Sequence, residues 1–221
     1  MSSHDPGHDI PQLNHHTKAS LAFHKGGQWA YDRVGMYLRL AHRQMDRIER
    51  AMEDWEKSPA RVNEPSKVGW AESSRRSAIQ LQLANDALAE VHLYFSAITI
   101  IDNMLVVVTA EIGMLESRKE LTRHRAFFES CRAARNSFEH YEGGFPGRPD
   151  EKKLFKEDDP SRQTLMWGLS PDVYTRGFQK WDISRASLAR LVEAVEATMA
   201  VVHRLLDEKI PDIDPATVKR E

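Results

Sequence analysis

Cysteine is nearly absent from this 221-residue chain: Cys131 is the only one, so no internal disulfide can form. The same count excludes a zinc centre built on several thiolates. No basic segment followed by an apolar one opens residues 1–11, and no secretory signal is expected. No sign of charge dominates, since 31 Lys and Arg stand against 33 Asp and Glu for a formal net charge of -2. That balance gives no general attraction for nucleic acid or anionic membranes, so any nucleic-acid site must be local. No membrane span is expected. The most apolar one, Val91 to Ile112, is interrupted by His92, Asp102, Asn103 and Glu111, and it reads as a buried helix. A cytoplasmic protein that avoids the membrane is expected.

Several chemistries are missing by motif. There is no His-Glu-x-x-His, no Gly-x-x-x-x-Gly-Lys-Ser/Thr and no Gly-x-Gly-x-x-Gly. No His follows a Glu by three residues, which argues against a carboxylate-bridged di-metal bundle. Neither a metal nor a cofactor is expected.

Helical periodicity is what remains. Residues 1–25 scatter His, Gly, Pro and Asp with little apolar pattern. They read as a flexible arm whose histidines are solvated rather than metal-binding. From Gln28 onward, Val34, Leu38, Ala41, Met45, Ile48, Met52 and Trp55 step by four and three, the stripe of an amphipathic helix. Pro59 and Pro65 frame the loop that ends it. A second helix is expected from about Trp70 to Gly113, apolar almost all round in its later half. A third runs from Leu115 to Tyr141, with Gly143-Gly144 as its stop. After a loop rich in Pro, Gly and charge, Leu165, Trp167, Leu169, Val173, Tyr174, Phe178 and Trp181 surround Ser170-Pro171-Asp172, a β-hairpin signal over about 163–183. Asp182 or Ser184 then caps a last helix carrying Leu188, Leu191, Val195, Met199, Val202 and Leu205. The expected fold is mainly α: a four-helix up-down bundle over 26–209, a β-hairpin inserted before the last long helix, and a tail over 210–221. Ile98, Ile101, Leu105 and Val108 offer more apolar surface than one bundle side needs, so a homodimer through the second helix is expected.

Chemistry concentrates in one segment, Cys131-Arg-Ala-Ala-Arg-Asn-Ser-Phe-Glu-His-Tyr-Glu-Gly-Gly144, at the end of the third helix. Asn136 and His140 are i,i+4 neighbours on one face with Arg132, roughly 160° from Phe138. Arg135 borders the apolar stripe. Arg135 and His140 are five apart, so an ideal helix separates them by about 140°. They converge only if the helix ends near His140 or if two protomers face each other. An Arg, an amide and a His suit metal-independent RNA cleavage, in which the ribose 2′-OH attacks the adjacent phosphate. An imidazole, with an unperturbed pKa of about 6.5, can take either proton-transfer role near neutral pH. Arg135 can hold a phosphate oxygen by charge-assisted bonds, and Asn136 can orient the His or the phosphate. The plainer alternative pairs Arg135 with Glu139 and leaves His140 solvated near a helix C-terminus. Arg118, Lys119, Arg123, Arg125, Arg132 and Arg135 make this helix locally basic, either as an RNA-facing stripe or as a solvated face diluted by Glu116, Glu120, Glu129 and Glu139.

An Arg followed by a polar residue and by a His at the fifth position, late on a core helix, resembles the HEPN superfamily (higher eukaryotes and prokaryotes nucleotide-binding). The matching segment is Arg135 to Tyr141. The resemblance implies a helical ribonuclease of toxin–antitoxin or phage-defence type, whose Arg and His meet across a dimer interface. Carried over, Arg135 is the phosphate-binding Arg, Asn136 its polar neighbour and His140 the catalytic His. Arg125, Arg132 and Tyr141 are candidate substrate contacts. Some members carry a Tyr two places after the His, whereas here Tyr141 follows at once. The implied partners are a second copy, an RNA substrate and an antitoxin or neighbouring-gene protein. Inactive members of the superfamily serve as binding scaffolds, so a non-catalytic helical interaction module is the alternative.

Overall fold

The structure, a computed structural model, describes residues 14–58, 69–142, 168–176 and 179–210, except for the side chains of 139–142. Six helices and one small sheet make up the described residues: α1 His15–Ala22, α2 Lys25–Lys57, α3 Trp70–Ile112, α4 Leu115–Arg123, α5 Arg125–Glu142, β1 Gly168–Ser170, β2 Val173–Arg176, β3 Gln179–Asp182 and α6 Arg185–Lys209. Chain direction follows from cross-helix contacts. Arg47 on α2 reaches Glu90 on α3 and the His24 N–H reaches Glu111, so α2 and α3 are antiparallel. Phe138 and Arg132 on α5 meet His92 and Asp102 on α3, again antiparallel. Tyr94 bonds Ser187 and Lys209 bonds the Ile112 carbonyl, so α6 runs parallel to α3.

The apolar run identified above is the centre of the molecule. α3 is 43 residues long, about 65 Å of helix, and ends on Gly113 at φ 75°, the left-handed conformation that glycine adopts without strain. It is long and apolar enough to cross a membrane, but 61% of its most apolar window is buried within the chain. It is a core helix. Ile98, Ile101, Leu105 and Val108 have no exposed surface, which corrects the expectation that they form a dimer face. They are consumed by packing within the chain's own core. On α2 the expected stripe holds: Val34, Ala41, Met45, Ile48 and Met52 are buried.

Three local differences from expectation have physical causes. The segment at residues 15–22, expected within a mobile arm, is a helix capped by Asn14, whose side chain accepts the Thr17 N–H at 2.9 Å. It docks through Ala19 and the stem of Lys18 and covers one end of α6. The third helix is two helices, because the His124 N–H bonds the Leu121 carbonyl in a tight turn that redirects the chain. The expected hairpin is a three-stranded antiparallel sheet in the order β1-β2-β3, pairing Leu169 with Tyr174 and Tyr174 with Trp181. Trp167, Phe178 and the Gly143-Gly144 stop lie outside the described residues. Ser184 is the N-cap of α6; its hydroxyl accepts the Ala186 N–H, and Asp182 Oδ1 accepts the Ser184 N–H.

Candidate functional site

α5 carries the residues singled out by their chemistry. It is helical through Glu142, so its backbone places positions 135 and 140 on sides about 140° apart within one chain. Arg135 and Asn136 are both half-buried on this helix. His140 and Tyr141 lie in its last turn, and their side chains fall outside the described residues.

Arg125 and Arg132 converge, but on an internal carboxylate. Asp102 on α3 is 1% exposed; Arg132 Nη2 donates to its Oδ2 at 2.5 Å, and Arg125 Nη1 lies 3.6 Å from its Oδ1. Arg125 also donates through Nε to Glu129 at 2.9 Å. Burial pushes the Asp102 carboxyl above the usual carboxylate range, while the two guanidiniums pull it down. Two of the cations expected on RNA therefore anchor α5 to α3. Farther along the basic stretch, Arg123 is paired with Glu120 at 2.6 Å. Asp102 had a signal in the sequence: a carboxylate inside an apolar run must be paired or neutralised, and a cation from another helix is the usual answer.

An aromatic ladder joins the end of α5 to the sheet. His92 stacks on Phe138 with centroids 5.1 Å apart, Phe138 on Tyr174 at 4.4 Å, and Tyr174 on Trp181 at 5.4 Å. The Ser137 and Tyr174 hydroxyls sit 3.3 Å apart beside it. The ladder fixes the rotation of α5 and hence where residues 135 and 136 stand. Cys131 lies behind this face, and burial pushes its thiol up to about 12, so it is no nucleophile near neutral pH. It borders a cavity of about 300 Å³ with Phe95, Phe127, Trp181, Asp182 and Arg190.

A second polar cluster went unnoticed in the sequence because it joins three distant segments. His15 stacks on His203 at 4.1 Å, the Tyr31 hydroxyl lies 3.0 Å from His203 Nε2, and Lys18 donates to Asp207 at 2.9 Å. Burial and the neighbouring His15 lower the His203 pKa, and burial raises Tyr31 to about 12. Among the described residues, no group of three or more His, Cys, Asp and Glu is placed to hold a metal ion.

No protein-family model, no curated protein and no solved structure matches the chain.

Proposed function

We propose that this chain is a cytoplasmic, homodimeric HEPN-like domain, a four-helix up-down bundle of α2, α3, α5 and α6, that cleaves RNA without a metal. Each site takes Arg135 and Asn136 from one protomer and His140 from the other. The unbroken course of α5 through both positions carries this reading, since one chain alone holds them on different sides of the helix. A second copy has a surface to use. Ala89, Leu93, Ser96, Ile100, Asn103, Val107 and Ala110 on α3 repeat at four and three, carry no charge and are exposed or half-exposed. Leu93 is 48% and Val107 39% exposed. On α2, Trp29, Met36 and Leu40 are exposed as well, at 51%, 41% and 37%. Such a stripe can pair with its own copy about a two-fold axis without like-charge repulsion.

The commitment of Arg125 and Arg132 to Asp102 favours a second reading, a non-catalytic helical module that uses the same α3 face to bind a partner protein. Light scattering combined with an RNA cleavage assay in chelator separates the two. A dimer that yields 2′,3′-cyclic phosphate ends supports the ribonuclease. A dimer or hetero-complex that leaves diverse RNAs intact supports the module.

A further inference from the structure

Cleavage by 2′-OH attack uses a base and an acid, and His140 is only one such group. We propose that His92 on α3 is the second proton-transfer residue of the site, an inference that rests on the ribonuclease reading. Its ring lies almost flat on Phe138, 11° from parallel. Phe138 in turn stacks on Tyr174 and Tyr174 on Trp181, which are only 2% and 6% exposed. The ladder is thus anchored at its buried end, and His92 is its half-buried outer ring. Stacking occupies the ring face and leaves both nitrogens at the edge. Among the described residues, neither nitrogen is engaged by a hydrogen bond or ion pair, unlike those of His203, His15 and His16. His92 is held by its face and open at its edge.

Its position relative to α5 is the second argument. α3 meets α5 at Phe138 and at Arg132, about 120° apart around α5, and Arg135 falls between them on that side. Position 140 lies about 140° from position 135 around the helix. A composite site would then combine Arg135 and His92 of one protomer with the His140 of its partner. Among the described residues, charged or titratable groups on the elements of the ladder include Arg135 on α5 and Tyr174 and Arg176 on β2. One turn away on α3 itself, Leu88, Ala89, Phe95 and Ser96 carry no titratable group. In the reaction, the 2′-oxygen bonds to phosphorus as its proton passes to one imidazole. The bond from phosphorus to the 5′-oxygen breaks, and that oxygen takes a proton from the other imidazole. No redox partner is required.

His92→Phe tests this directly, because it keeps a flat ring on Phe138 and deletes both nitrogens. The expected result is a fall in kcat/KM of about 10²–10⁴-fold, with loss of one limb of the bell-shaped pH profile and an unchanged Tm. A reduced rate with both limbs intact would make His92 a packing residue and overturn the assignment. Wild-type rates in His92→Phe, with His140→Ala inactive, would overturn it and leave the ribonuclease reading standing. No cleavage by the wild type would remove both. Should His92→Phe misfold, the His92 ring protons of the wild type are followed by NMR during titration with uncleavable 2′-O-methyl RNA. A saturable shift supports the site, and an unmoved resonance overturns it.

Discussion

Cutting Arg132 back to alanine will cost more stability than neutralising the carboxylate it holds. The reason is an asymmetry of burial: Asp102 is 1% exposed, while Arg132 and Arg125 are 34% and 39% exposed. Arg132→Ala leaves a buried anion with only Arg125 nearby, at 3.6 Å. Removing one partner of a buried pair typically costs about 3–5 kcal/mol, and the remaining Arg125 brings the expected loss to about 2–3 kcal/mol. Asp102→Asn removes the buried charge, keeps an oxygen that can accept from Arg132, and leaves both guanidiniums within reach of water. It should change stability by less than about 1 kcal/mol. The pH dependence has a definite sign. Burial raises the folded-state pKa of Asp102 above its unfolded value, so the charged form is the disfavoured one in the fold. The penalty in Arg132→Ala is therefore present above that raised pKa and relieved as pH falls through it. Urea denaturation of wild type, Arg132→Ala and Asp102→Asn at about pH 8 and about pH 5 measures this, with the gap between wild type and Arg132→Ala narrowing at the lower pH. Greater loss in Asp102→Asn than in Arg132→Ala, or a gap that widens on acidification, would show that Asp102 is not a buried anion held by Arg132.

Docking of α1 should weaken in acid. The folded pKa of His203 is lowered, so the stability it contributes is present above the usual imidazole value of about 6.5 and lost as pH falls through the folded value. Hydrogen exchange in α1, corrected for its intrinsic pH dependence, should be faster at about pH 5.5 than at about pH 7.5, and His203→Phe should flatten the difference. The buried Cys131 thiol should resist a thiol reagent in the native protein and react fully in denaturant; fast native labelling would contradict its burial. Gly27→Ala would set a Cβ 2.6 Å from Glu111 Cγ and displace the carboxylate that accepts the His24 N–H. It should destabilise by about 1–3 kcal/mol in thermal or urea unfolding.

Much of the helical frame was legible because burial follows periodicity. Val34, Met45 and Ile48 on α2, and Leu188, Leu191 and Val202 on α6, fell where their spacing put them. The break at His124 was not legible, since Leu121 and Phe128 keep a seven-residue spacing across it and are both buried. β3 reads Gln-Lys-Trp-Asp, with only Trp181 buried, too little alternation to announce a strand. α1 has no apolar stripe of its own; tertiary contacts to His203 and Asp207 hold it in place. The site was legible at Arg135, Asn136 and His140 as residue types on one helix. The carboxylate that claims Arg125 and Arg132, and the contact of His92 with Phe138 that turns α5, join residues far apart in the chain, which no local pattern encodes.

Complementation between two inactive variants reports whether the site is shared between two protomers. Arg135→Ala and His140→Ala are purified separately, each expected to leave RNA uncut in chelator. They are then mixed, exchanged and assayed on the same RNA. Random exchange makes half of the dimers mixed, and each mixed dimer regains one intact site of two, so about one quarter of wild-type cleavage should return. A mixture as inactive as its components, beside an active wild type, would place Arg135 and His140 in one chain and contradict the shared site.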